Sequence, residues 1–236
     1  MDAATKERVR ATLAHGWFGR QAADLQGRIL EHGFVRRFAP GQTLYRAGDP
    51  PLGLYALMDG SWTVALPAVS GGHAVFYLAQ PGLWMGQLAV MEPSTTVVTV
   101  TAYRDSEVLF LPARGFERIV ADDPAAFRCF YGITADHVRT LLRLTAELLL
   151  LPTAARLAAR LGLMCDDLPP SERPPVIEVT QADLAVMLGV SRQRLNTSLQ
   201  TLARAGAIET RSRRIVVLDR DRLAALARRT DVVPVA

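Results

Sequence analysis

One long stretch without helix-breaking residues limits the folds that this chain can adopt. After the acidic break at residues 122–124, the sequence runs to Leu151 without proline and with Gly132 as its single glycine. This pattern predicts a helix of about 27 residues, roughly 40 Å long. Strand-like sequence ends at Pro112, before this helix, and short helical segments follow it, so the helix separates a β-rich part from a helix-rich part.

The predicted long helix is apolar on more than one side, which raises the question of what covers it. One row holds Phe127, Tyr131, Val138, Leu141 and Leu148, and another holds Phe130, Leu144 and Leu151. One row can pack on the β-rich part, and a copy of the same helix across a two-fold axis is the economical cover for the other. The alternative is a fully buried core helix in a monomer. We expect a homodimer with a seam formed by Phe127, Val138, Leu141, Leu144 and Leu148.

The N-terminal part combines a helical start with a run of short strands. Helical spacing of apolar residues covers residues 5–32, and from Phe34 short β-branched and aromatic runs alternate with Gly- and Pro-rich turns. Such spacing favours an antiparallel barrel or sandwich, with a hairpin tip at residues 70–72. A short helix over residues 113–121 is expected to close this part.

Composition limits the class of protein. With 236 residues, half of them hydrophobic, the chain can bury two cores. Its apolar runs, such as residues 148–151, are far too short to span a membrane, and no signal peptide pattern opens the chain. Cys129 and Cys165 fit a reduced cytoplasm and cannot form a disulfide framework. We therefore expect a cytoplasmic protein without a membrane partner.

The segment at residues 180–218 predicts a helix-turn-helix followed by a two-stranded wing. Thr180 begins a capping box, Gly189 makes the turn, Ser191 caps the second helix and Gly206 ends it. The proline-rich stretch at residues 166–175 is expected to be a surface loop that precedes this segment.

Polar side chains occupy the outward positions of the second helix, and arginines occupy the wing. Arginine can bind guanine with two hydrogen bonds, Gln and Asn can bind adenine, and Thr can contact a thymine methyl group. The chain's excess positive charge also lies in this last third, because residues 1–151 balance 14 basic against 14 acidic residues while residues 152–236 hold 13 against 9. A solvated charged face without a partner is the plain alternative. We expect double-stranded DNA as the partner, with contacts from Thr180, Ser191, Arg192, Gln193, Arg194, Asn196, Thr197, Arg211, Arg213 and Arg214.

Several motifs resemble the Crp/Fnr transcription regulators. They are GxSRQ at residues 189–193, GDPPLGLYALMDG at 48–60, GQLA at 86–89 and the segment that begins at Thr153 and includes Arg156. The resemblance covers about residues 15 to 228. It implies an α+β fold: an N-terminal antiparallel β-barrel or jelly roll similar to cyclic-nucleotide-binding domains, a long dimerisation helix and a C-terminal winged helix-turn-helix. We place the domains at 1–122, 123–151 and 152–236.

The resemblance also implies a homodimer on a two-fold DNA site, with RNA polymerase as a further candidate partner. The recognition helix departs from the family pattern of Ser-Arg-Glu with a second Arg four residues later, because Gln193 replaces the acid and Thr197 the second arginine. One guanine contact, from Arg192, is kept. Ser198 stands where the family prefers an apolar residue, which predicts a small packing weakness.

The cyclic-nucleotide cassette of the family falls on residues 84–102, and its polar groups are altered. Gln87 replaces the expected acid, Thr96 stands where the phosphate-binding arginine belongs, and Leu141 and Leu142 replace the polar pair that would meet the base. We therefore expect no use of cyclic AMP and no cofactor, and either an apolar effector of unknown identity or an emptied cavity. The degenerate pocket comprises Gly86, Gln87, Leu88, Ala89, Thr95, Thr96, Val97, Val98, Leu141 and Leu142.

Other function classes find less support in the sequence. An iron–sulfur site needs four cysteines, and the histidines show no metal-ligand spacing, although His73 or His137 could serve as a lone haem ligand. A barrel-type metalloenzyme needs clustered ligands that the β-rich part lacks, and no nucleophile elbow or phosphate-binding loop is present. We expect a DNA-binding regulator rather than an enzyme. The alternatives are a cyclic-nucleotide- or haem-responsive regulator, or a regulatory module that acts on a protein partner.

Overall fold

The computed structural model describes residues 1–67, 71, 73–92, 94–166, 168 and 174–228. Contacts group the chain into two compact units, Met1–His73 with Tyr77–Val138, and Ala74–Phe76 with Arg139–Ala236. The long helix therefore belongs partly to each unit. The predicted three-part division at residues 122 and 151 stays a prediction. The hairpin tip depends on residues 70 and 72, which are outside the described residues, as is most of the predicted loop at 166–175.

The helices and strands of the structure have these bounds. The helices are α1 Ala3–Thr12, α2 Ala23–His32, α3 Gln87–Met91, α4 Ala113–Asp122, α5 Ala126–Leu150, α6 Thr153–Asp166, α7 Gln181–Leu188, α8 Arg192–Arg204 and α9 Arg220–Ala227, with a 3-10 turn at Phe18–Arg20. The strands are β1 Phe34–Phe38, β2 Thr43–Tyr45, β3 Gly53–Asp59, β4 Trp62–Pro67, β5 His73–Ala79, β6 Trp84–Met85, β7 Thr99–Ala102, β8 Ser106–Pro112, β9 Val176–Glu178, β10 Ile208–Arg211 and β11 Arg214–Val217.

Two four-stranded sheets form the predicted β-rich part, in the orders β1-β8-β3-β6 and β2-β7-β4-β5. All the strand pairs whose register is described are antiparallel. This is the jelly-roll arrangement that the sequence predicts. The strands β1 and β2 are edge strands of their sheets, as are β6 and β5 at the other ends.

The two faces of the first sheet have different neighbours, because successive side chains of a strand alternate between faces. Leu54, Ala56 and Met58 of β3 join a core cluster that also contains residues of α1, α2, α4 and α5. Trp17 anchors this cluster, with its ring 5.1 Å from Trp84 and 5.4 Å from Phe130, and its indole nitrogen donates to the carbonyl oxygen of Cys129 at 2.9 Å. The opposite face of β3 carries Tyr55, which points into the sandwich.

The second unit holds a small three-stranded sheet that the sequence did not predict in full. Its order is β10-β11-β9, and β9 pairs with β11 from Val176 to Glu178. The predicted two-stranded wing forms as the pair β10 and β11, and β9 adds a third strand that was not predicted. The strand β9 is short, follows a proline-rich stretch and pairs with a strand 38 residues away. No local pattern in the sequence therefore predicts it.

Candidate nucleic-acid interface and sensor region

Local hydrogen bonds fix the helix-turn-helix in the predicted way. The Thr180 hydroxyl accepts from the Asp183 N–H at 3.1 Å, and the Ser191 hydroxyl accepts from the Arg194 N–H at 3.3 Å, so both predicted N-caps form. Gly189 has a φ of 63°, a left-handed conformation that glycine adopts without steric cost. Thr180 thus fixes the start of α7, and Gly189 and Ser191 form the turn between α7 and α8.

The inner faces of α7 and α8 bury leucines, as predicted. The buried set is Leu184, Leu188, Leu195, Leu199 and Leu202. Ser198 is buried among them, and its hydroxyl donates to the Arg194 carbonyl oxygen at 3.0 Å. The expected packing weakness at Ser198 is therefore limited to lost apolar contact, because the buried hydroxyl has a hydrogen-bond partner.

The outer face of α8 exposes the predicted base-contacting set, which is Ser191, Arg192, Gln193, Arg194, Asn196 and Thr197. Within the described part of the chain, neither Arg192 nor Arg194 forms an ion pair, so both guanidinium groups can bind an external acceptor. The Thr197 hydroxyl donates to the Gln193 carbonyl oxygen at 3.2 Å, which satisfies the hydroxyl within the helix. Thr180 is half-buried, and its hydroxyl is already used in the cap.

The wing arginines differ in their partners. The Arg211 guanidinium donates two hydrogen bonds to the Glu209 carboxylate, at 2.8 and 3.1 Å. The Arg214 Nε atom lies 3.8 Å from a carboxylate oxygen of Glu178. Arg213 makes no ion pair with any described residue and occupies the hairpin turn with a φ of 57°. Together with Val179, Gln181, Leu199, Thr210, Ser212 and Ile215, the three arginines line a groove of about 240 Å³.

A left-handed conformation is uncommon for residues with a side chain, and glycine or asparagine would adopt it with less strain. The chain nevertheless places an arginine at the exposed tip of the wing. Arg213 is therefore the wing residue best placed to bind a phosphate.

In the sensor region, the cassette side chains are engaged with the protein itself. The buried Thr96 hydroxyl donates to the Arg46 carbonyl oxygen at 2.5 Å, and the Thr96 N–H donates to the Asp49 carbonyl oxygen at 3.0 Å. The Gln87 amide nitrogen donates to Nδ1 of His137 at 3.0 Å. Burial lowers the pKa of His137, which keeps the imidazole neutral and able to accept this hydrogen bond.

Gly86 precedes α3, and a side chain at this position would not fit. Its φ is 93°, and a Cβ atom there would lie 2.4 Å from the Gly53 carbonyl oxygen. Among the other predicted pocket residues Ala89 is buried and Val98 half-buried, while Leu88, Thr95 and Val97 are exposed. Leu141 and Leu142 are exposed on α5 and belong to the second unit. The predicted pocket as a whole stays a prediction.

An exposed stripe on α5 follows a heptad pattern. With spacings of four and three residues, it holds Phe127, Tyr131, Thr134, Val138, Leu141, Thr145 and Leu148. All of these except the half-buried Thr134 are exposed, and Leu142 and Leu149 lie beside the stripe. Leu144 is 8% exposed in a single chain and faces the buried side of α5, so we remove it from the predicted seam.

The described residues give little support to an iron–sulfur, haem or other metal site. Cys165 is buried and Cys129 half-buried, and both are free thiols. No group of three metal-ligating side chains occurs among the described residues. His137 is engaged with Gln87, and the side chain of His73 is outside the described part. None of the described helices is both long enough and apolar enough to cross a membrane.

A sandwich of two antiparallel sheets, a long helix and a winged helix-turn-helix with a basic recognition face define a DNA-binding transcription regulator. Two family models match the chain: a cyclic nucleotide-binding domain over residues 35–123 and a Crp-like helix-turn-helix domain over residues 155–226. The chain belongs to the Crp/Fnr family of transcription regulators.

Named relatives resemble most of the chain. The CRP-like cAMP-activated global transcriptional regulator of Mycobacterium tuberculosis is 22% identical, covering 81% of this chain and 87% of that protein. The cAMP-activated global transcriptional regulator Vfr of Pseudomonas aeruginosa is 22% identical, covering 80% and 92%. The structure of FixK2 from Bradyrhizobium japonicum superposes with a TM-score of 0.71 at 18% identity, covering 82% and 96%.

Proposed function

We propose that this Crp/Fnr-type regulator binds two-fold symmetric DNA as a homodimer and does not depend on cyclic AMP. The DNA contact is supported most by the first turns of α8, where Arg192 and Arg194 are exposed and have no described ion-pair partner. Because a helix N-terminus disfavours cations, two unpaired arginines there gain an electrostatic partner when phosphates or guanine acceptors approach. RNA polymerase remains a further candidate partner.

Binding-site selection from random DNA, followed by gel-shift titration on the selected site, tests this function. We expect a palindromic site with half-sites one helical turn, about 34 Å, apart. Enrichment of no sequence above background would contradict the proposal.

Substitution of Arg192 should separate base contact from phosphate contact. We expect Arg192→Ala to lose about 1–3 kcal/mol of binding free energy on the selected site and much less on unrelated DNA, because a bidentate guanine contact is lost. Gel-shift titration on both DNAs measures the difference. Equal losses on the two DNAs would identify Arg192 as a phosphate contact.

Neutralisation of the wing tip should weaken binding to all DNA sequences alike. We expect Arg213→Gln to reduce the slope of log K against log salt concentration by about one, the value for one lost phosphate contact. Arg211→Gln is the matched control, and its effect should be smaller because Arg211 is already paired with Glu209. An unchanged slope in Arg213→Gln would place the wing tip away from DNA.

The homodimer is supported by the heptad stripe on α5. Its apolar side chains, exposed in the single chain, have the spacing of a two-stranded coiled-coil seam. The proposed seam contains Phe127, Tyr131, Val138, Leu141 and Leu148. A helix pair of this kind would place two copies of α8 on one side of the DNA, as a two-fold site requires.

Cyclic AMP should neither bind nor be needed for DNA binding. Thr96 and Gln87 supply neutral groups that are already hydrogen-bonded within the protein, so a cyclic phosphate would lose hydration at the cassette without gaining a charged partner there. Calorimetry and gel shifts with and without millimolar cyclic AMP measure both effects. Micromolar binding, or DNA binding only in its presence, would refute this part of the proposal.

A further inference from the structure

An aromatic row crosses the inner face of the first sheet. Phe34, Phe110 and Tyr55 stand directly opposite one another on β1, β8 and β3, with ring centroids 5.3 and 4.6 Å apart. Tyr45 of the second sheet packs on Tyr55 at 5.6 Å, so this face lies towards the interior of the sandwich. The row begins at the exposed Phe34 on an edge strand and ends at the buried Tyr55.

Arg36 lies on the same face of β1, two residues after Phe34. Its guanidinium carbon is 5.0 Å from the centre of the Phe38 ring and 5.3 Å from that of Phe110. The residue is half-buried, and it forms no ion pair with any described carboxylate. A guanidinium that stacks on aromatic rings keeps its in-plane N–H groups available, and these match the two oxygens of a carboxylate.

Tyr55 supplies a second polar group beside Arg36. The residue is 1% exposed, and its buried hydroxyl makes no hydrogen bond of ordinary length in the described structure, although the Arg36 guanidinium lies close enough to act on it. Burial raises the pKa of Tyr55, and the positive charge of Arg36 partly opposes that rise, so the two groups act on each other. Asp49 also acts on this hydroxyl, but its carboxylate accepts from the Arg46 N–H at 2.7 Å and is held in its own turn.

We propose that Arg36 and Tyr55 form an anion subsite inside the sensor domain, and that it takes a small aromatic carboxylate. The guanidinium would bind the carboxylate through two N–H groups, the Tyr55 hydroxyl would donate a third hydrogen bond, and the aromatic row would pack on the ligand's ring. The in-plane N–H groups of the guanidinium match the two oxygens of a planar carboxylate. The sequence leaves an apolar effector and an emptied cavity as alternatives, and this assignment adds a charged end to the first. It relies on the proposed function only in treating this domain as the sensor.

Calorimetric titration of the full chain with benzoate tests the subsite, with benzyl alcohol as the neutral analogue. We expect saturable benzoate binding, one molecule per chain, and about 10- to 100-fold weaker binding in Arg36→Gln, since a charge-assisted contact is lost. Arg37→Gln is the matched control. Its side chain is 85% exposed and lies on the opposite face of β1, where it pairs with Glu107, so benzoate binding should not change.

Tyr55→Phe separates a binding role from a structural one. We expect several-fold weaker benzoate binding together with an unchanged or higher Tm without benzoate, because the variant removes a buried hydroxyl that makes no hydrogen bond of ordinary length. A lower Tm with unchanged benzoate binding would assign the hydroxyl a structural role only and would overturn its place in the subsite.

Three results would overturn the proposal: no saturable benzoate binding, equal binding in Arg36→Gln and the unaltered chain, or equally tight binding of benzyl alcohol. Gel shifts without benzoate test the DNA function separately. Failure of DNA binding with benzoate binding intact would count against the proposed function and leave the subsite standing.

Discussion

Leu148→Asp is expected to convert the protein into a monomer. Leu148 is 58% exposed in the single chain and ends the heptad stripe of α5, so in the proposed dimer it faces the same residue of the second helix. The substitution would bury two carboxylates next to each other without a cationic partner. Uncompensated buried charges typically cost about 3–5 kcal/mol, which is enough to dissociate a helix pair at micromolar concentration.

The control for this experiment uses the same substitution two positions along the helix. Leu150 is also exposed, but a separation of two residues places it about 200° around the helix from Leu148. Leu150→Asp should therefore stay dimeric. Light scattering measures the mass of each variant, and a Leu148→Asp chain with the mass of a dimer would rule out this seam.

Loss of the dimer should also reduce affinity for the selected DNA site. A monomer contacts one half-site, so the second set of contacts no longer adds to the binding free energy. On a DNA with a single half-site, Leu148→Asp and the unaltered chain should bind alike. This comparison distinguishes a loss of dimer from a damaged recognition helix.

The sequence predicts best those features whose signals are local. Thr180, Gly189 and Ser191 act on backbone groups within four residues, so their identities alone predict the caps and the turn of the helix-turn-helix. The end of α5 was likewise predicted because Pro152 lies just beyond it. Short β-branched and aromatic runs between Gly- and Pro-rich turns predicted the sandwich for the same reason, since each run and each turn is a local signal.

Features that depend on distant partners were not predictable in this way. The strand β9 forms only because β11 pairs with it, and Gln87 meets His137 across 50 residues of sequence. Helical periodicity identifies the apolar rows of side chains on α5, but it does not tell which row packs against the rest of the chain. Leu144 was assigned to the dimer seam for this reason. Arg36 likewise gives no local signal for an anion subsite, because it meets the aromatic row only when β1 pairs with β8.

Leu195→Ala should strongly destabilise the DNA-binding unit. Leu195 is fully buried on the inner face of α8, among the leucines of α7 and α8. Truncation removes three carbon atoms of the side chain and leaves a cavity, which typically costs about 2–5 kcal/mol. Because the chain has two compact units, hydrogen exchange of amides in α7 and α8 measures this loss more directly than a global unfolding curve.

Asn196→Ala, at the neighbouring position, serves as the matched control for that prediction. Asn196 is exposed on the outer face, so its truncation should change unfolding free energy by less than about 0.5 kcal/mol. It should instead cost about 1–3 kcal/mol of binding free energy on the selected site if its amide contacts an adenine. The two adjacent variants thus separate packing from DNA recognition on one helix. If Leu195→Ala kept the exchange protection of α8, the inner face of that helix could not be packed as described.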